Sequence, residues 1–153
     1  MIGVIAAVTL LGATQILGEP KEPMTVEVDH RGDDAGGEQL AFLLRERLRA
    51  SSSFSVLSEG AFYKIVIDSV DMSSVTLRPS TSYSVVILAD QSSQSGYPEG
   101  YITSKVGYCE VRLLAECASQ EFIEAGTQID EADQDMRRRV NEAVEEFMRE
   151  LRP

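Results

Sequence analysis

Residues 24–51, MTVEVDHRGDDAGGEQLAFLLRERLRAS, change hydrophobic period within one short stretch, and that change sets the fold class. Met24, Val26 and Val28 alternate with Thr25, Glu27 and Asp29, a period of two that predicts a strand over 24–29 with one buried face. The polar, glycine-rich run 29–37 predicts a turn, with Asp33 or Asp34 placed to cap the helix that Glu38 opens. Leu40, Leu43, Leu44 and Leu48 then recur at helical spacing, while Arg45, Glu46 and Arg49 lie elsewhere, and the helix is expected to end near Ser51.

Downstream, strands alternate with turn signals. Phe54 to Leu57 reads as a short strand ahead of the turn Ser58-Glu59-Gly60. Tyr63, Ile65 and Ile67 predict the clearest strand in the chain, because β-branched and aromatic residues at that density favour a sheet interior. A loop near 72–79 leads to a strand over 82–88, expected to pair with it as an antiparallel hairpin. Residues 90–100, DQSSQSGYPEG, form the longest polar loop, and a strand over 101–108 follows.

The remainder reads as helical. One helix is expected over about 111–125, interrupted at Gly126, with Thr127 and Asp130 forming a capping box for the next. Ile129, Ala132, Met136, Val140, Ala143, Phe147 and Leu151 make a single stripe at steps of three and four, read here as part of the domain's own core. The order β-α-β-β-β-β-α-α predicts a single α+β domain over 24–153, with a mainly antiparallel or mixed sheet of four to five strands and helices packed on one face. A doubly wound nucleotide-binding fold would need regular β-α alternation, which the pattern lacks.

Ahead of the domain, residues 2–17 carry no charge and are too short and interrupted for a spanning helix, so 1–18 is expected to be a signal peptide or N-terminal anchor. EPKEP over 19–23 reads as a linker. The expected localisation is therefore periplasmic or secreted.

Composition narrows function. The 153 residues carry 14 Lys+Arg against 25 Asp+Glu, a net charge of −11, which repels phosphate backbones and disfavours nucleic acid. One His and two Cys exclude multi-His and four-Cys metal sites by count. On one continuous helix Cys109 and Cys117 would stand about 12 Å apart, beyond the roughly 7 Å Cα limit for a disulfide. Their bond therefore requires a turn between them; the alternative is two reduced, buried thiols.

Asp29, His30, Asp33, Asp34 and Glu38 could be read as a divalent-metal site, since hard carboxylates with one imidazole suit such a cation. A solvated loop whose aspartates complement a helix N-terminus accounts for the same residues. Arg137, Arg138 and Arg139 lie among Asp133, Asp135, Glu142 and Glu145, a spacing that predicts a salt-bridged helix face. No phosphate-binding loop, nucleophile elbow or zinc-protease pattern occurs, and no catalytic residue, cofactor or metal ligand is assigned.

Residues 37–51, GEQLAFLLRERLRAS, with 101–109, YITSKVGYC, and Cys117-Ala118, resemble a group of short exported bacterial proteins without assigned function. The order strand, helix LAxxLRExLRxSxxF and YxIxI strand is also similar to the amino-terminal modules of periplasmic assembly factors such as TolB, at the level of fold. The resemblance implies a cell-envelope context and carries no catalytic residue. The reading is an exported, non-enzymatic binding or assembly domain whose partner is a protein or envelope component, touching a membrane only through residues 1–18. The alternative is a metal-dependent hydrolase using the acidic loop from Asp29 to Glu38.

Overall fold

The structure is a computed structural model that describes residues 22–89 and 100–151. The expected export segment, most of the linker and nearly all of the polar loop 90–100 lie outside the described residues.

The strand and helix predicted around the first turn both form and run longer. Strand β1 spans Met24–Arg31 and helix α1 spans Ala35–Ala50, so the turn shrinks to Gly32, Asp33 and Asp34. Asp34 caps the helix by accepting a hydrogen bond from the Gly37 amide at 2.8 Å, which satisfies a donor that the first turn would otherwise leave open. Strand β2 (Phe54–Leu57) returns beside β1, and β3 (Tyr63–Asp71) follows. A four-residue helix α2 (Ser73–Thr76) occupies part of the expected loop, then come β4 (Ser80–Ala89) and β5 (Gly100–Glu110).

The domain is α+β, with one mixed five-stranded sheet in the order β2-β1-β3-β4-β5. Strand β1 is parallel to both β2 and β3, whereas β3–β4 and β4–β5 are antiparallel. The α1 crossover makes the β1–β2 pair parallel, as a helix between adjacent strands does. Between β2 and β3 the chain passes β1, where the Phe62 amide donates to Thr25 Oγ1 at 2.9 Å.

One sheet face is covered. Val26, Val28, Ile65, Ile67, Val85 and Ile87 lie on it and are almost fully buried against Leu40, Leu44 and Leu48 of α1 and against the last helix. Each such aliphatic side chain contributes roughly 1.5–3 kcal/mol through burial. The alternate residues, among them Glu27, Lys64 and the exposed Val106 and Tyr108, point to the other face.

Two helical expectations need correction. A 3-10 turn at Val111–Leu113 leads into one unbroken helix α3, Leu114–Glu150, of 37 residues, with no interruption at Gly126. A single interior glycine costs only about 1 kcal/mol relative to alanine, and the flanking Phe122, Ala125 and Ile129 pack into or against the core. Thr127 caps nothing, because its hydroxyl donates back to the Ile123 carbonyl at 2.9 Å.

The second correction concerns the stripe. Leu114, Ala118, Glu121, Ala125, Ile129 and Asp133 are the buried positions of α3, and burial stops there. Met136 is half-buried, while Val140, Phe147 and Leu151 are 56%, 60% and 61% exposed and belong to no core. Met136 and Arg139 still line a cavity with Phe62, Tyr101 and Ile102, and from Val140 to Glu150 the helix is exposed throughout, an arm of 11 residues and about 16 Å. Among the described residues, no helix is long and apolar enough to cross a membrane.

Candidate functional site

Three places bring reactive or unusual side chains together. The first is the start of α1, where a hydrolytic centre was one expectation. His30 lies on β1 instead of an exposed loop, on the helix side of the sheet, with Nε2 2.7 Å from Ser69 Oγ. Ser69 in turn donates to Asp34 Oδ1. The serine thus sits between imidazole and carboxylate with its proton committed to the acid, an order unlike a nucleophile activated by histidine. Burial pushes the Asp34 carboxyl up, but hydrogen bonds from Ser69, Thr81 and the Gly37 amide outweigh it and hold the group below its ordinary value.

This is a structural lock, and two glycines make room for it. A Cβ on Gly37 would lie 1.9 Å from Ser69 Oγ, and one on Gly32 would lie 2.3 Å from the Ser69 carbonyl oxygen. The other acids of the loop disperse. Asp29 faces the opposite side of the sheet, 3.5 Å from Arg31 and 3.9 Å from Lys64, and Asp33 and Glu38 are exposed. Among the described residues no three His, Cys, Asp or Glu side chains are grouped to hold a metal. The metal-dependent hydrolase built on Asp29 to Glu38 therefore lacks its ligand set.

The second place is a groove between β4, β5 and α3, a cavity of about 320 Å³ walled by Val85, Ile87, Ile123 and Ala125. Its polar end was not foreseen from sequence. Tyr83 donates to Glu121 Oε1 at 2.7 Å, Lys105 Nζ stands 3.0 Å from the same oxygen, and Lys105 also pairs with Glu124. Gly107 makes space for the Tyr83 ring, since a Cβ there would meet it at 2.3 Å. Burial, then the bond to Glu121, raises the Tyr83 hydroxyl above its ordinary value. Burial would lower Lys105, but its bonds to Glu124 and Glu121 raise it instead. Lys105 is shared by the two acids, Tyr83 also donates to Glu121 and Gln120 to Glu124, and the cluster ties α3 to the sheet.

The third place is α3 itself, from its root to its tip. The 3-10 turn reverses the chain after Cys109 and brings Cys117 back beside it, with Cα atoms 6.4 Å apart and sulfurs at bonding distance. The required turn is therefore present. At the far end the arm carries its apolar stripe in the open, flanked by ion pairs of Arg137 with Asp133, at 2.9 Å, and of Arg138 and Arg139 with Asp135. The expected salt-bridged face thus forms, at the base of the arm.

The fold has counterparts among solved structures. Protein XCC0632 from Xanthomonas campestris, of family model DUF330, superposes with a TM-score of 0.52 at 11% identity, covering 75% of this chain and 92% of that one. That likeness shows the fold. The hypothetical protein CT253 from Chlamydia trachomatis gives 0.36 at 12% identity over 56% of this chain and 71% of that one. The PelC dodecamer from Paraburkholderia phytofirmans gives 0.37 at 11% identity over 65% and 79%. These structural neighbours are bacterial proteins. No family model matches the chain, and no curated protein matches it in sequence.

Proposed function

We propose that this chain is an exported, non-enzymatic domain of the bacterial cell envelope that binds another protein through the arm of α3. The observation that carries the reading is the arm: Val140, Val144, Phe147 and Leu151 are all more than half exposed on one helix face. An isolated apolar residue on a surface is ordinary, but a contiguous helical stripe marks an interaction site. The uncharged segment 2–17 and the cysteine pair at disulfide distance both suit an oxidising compartment outside the cytoplasm.

The experiment joins location to contact. A photo-crosslinking residue at Phe147, expressed in the native host, should yield an adduct in the envelope or periplasmic fraction, and the same residue at Arg138, on the opposite face of α3, should not. Intact-mass measurement of the recovered chain should find it beginning near Glu19 if residues 1–18 are a cleaved signal. A cytosolic chain retaining Met1, with no adduct at Phe147, would overturn the reading.

A further inference from the structure

Resting on the reading of the arm as a docking surface, we propose that its occupant is the same arm of a second copy, laid antiparallel. At about 100° per residue Met136, Val140, Ala143, Val144, Phe147 and Leu151 fall within an arc of about 100°, wide enough for a helix–helix seam. One edge of that arc carries Arg139 near its beginning and Glu146 and Glu150 near its end. Arg139 is held on the helix by Asp135 at 2.7 Å with its side chain still 76% exposed.

Antiparallel pairing across a two-fold axis brings the same edge of both helices together. With the axis between Ala143 and Val144, Met136 meets the partner's Leu151 and Val140 meets the partner's Phe147. Arg139 then lies between the partner's Glu146 and the partner's Glu150, and the contact repeats by symmetry. Opposite charges meet at both ends, whereas a parallel two-fold would set this edge of one helix against the opposite edge of the other and leave Arg139 without these partners.

Other occupants fit less well. Residues 2–17 carry no charge to meet the edge. A lipid surface favours helices with an excess of Lys and Arg, but residues 137–150 hold four Arg and four Glu on a chain of net charge −11.

The test is a charge exchange on the full-length chain, read by sedimentation equilibrium with helix content checked by circular dichroism. Wild type should dimerise with increasing concentration. Arg139→Glu alone, and Glu146→Arg with Glu150→Arg, should each weaken the dimer about tenfold or more, and an equimolar mixture of the two variants should regain it. A wild type still monomeric at about 200 µM, variants that associate like wild type, or a mixture that fails to recover would each overturn the antiparallel dimer. The crosslink at Phe147 separates the two readings: an adduct whose mass is not twice that of the chain removes the second copy and keeps the docking arm, and no adduct removes both.

Discussion

Tyr83 and Glu121, 38 residues apart in sequence, meet in the buried layer between sheet and long helix through a 2.7 Å hydrogen bond. The carboxylate is 2% exposed and the tyrosine 5%, so each group depends on the other and on Lys105 for the partner that water would supply outside. Tyr83→Phe should therefore cost about 1.5–3 kcal/mol, the range for a hydrogen bond to a charged group. Urea unfolding followed by circular dichroism measures it, and an unchanged midpoint would show that the bond does not anchor α3.

Phe147→Ala should leave the melting temperature within about 1 °C of wild type, whereas Ile129→Ala, on the same helix but fully buried, should cost about 2–5 kcal/mol. Thermal melts at a concentration where the chain is monomeric make the comparison. Equal losses would return the arm to the core.

Gly37→Ala should be strongly destabilising, by about 2 kcal/mol or more, because the new methyl group would stand where Ser69 Oγ stands. The double variant with Ser69→Ala should recover part of that loss. Chemical denaturation of the set decides it, with additive losses counting against the close approach.

Asp34→Ala should cost about 1 kcal/mol near neutral pH by removing the cap. The folded pKa of Asp34 is depressed, so its contribution is present above the ordinary 3.8 and is lost as pH falls through the folded value. The gap between wild type and variant should close on acidification. A gap constant from pH 7 to below 3 would exclude an ionised cap.

If the sulfurs of Cys109 and Cys117 are joined in the native host, Cys109→Ser should cost roughly 2–3 kcal/mol by the chain-entropy model. Thiol labelling of the denatured, unreduced protein should find no free thiol. Two labelled cysteines would remove the bond.

The strands and α1 were legible because each buries one face, so alternation over Met24, Val26 and Val28 and the leucine spacing from Leu40 to Leu48 record that burial directly. Parallel pairing of β1 with both neighbours was not legible, since periodicity carries no information about which edge a strand joins. Gly126 was misread as a stop because local propensity favours one, and packing of Ala125 and Ile129 overrides it. The stripe beyond Asp133 continues that spacing without the burial, so the same pattern stands for a core upstream and an open surface downstream. His30 and Ser69 were missed as a pair because they are 39 residues apart; the signal available was Gly32 and Gly37, glycines that a close approach requires.

An unbroken α3 makes the molecule a lever. With 37 residues at about 1.5 Å each, the helix is a stiff rod of about 55 Å. Its inner half is clamped to the sheet by Cys117 beside Cys109, by Glu121 with Lys105 and Tyr83, and by Ile129 in the core. The helix runs on through Gly126 without a break, so a sideways load on Leu151 is carried back along it to these contacts. The contacts that hold the inner half are therefore the ones that resist a load at the tip, and the groove, lying between Glu121 and Ile129, sits inside the clamped stretch.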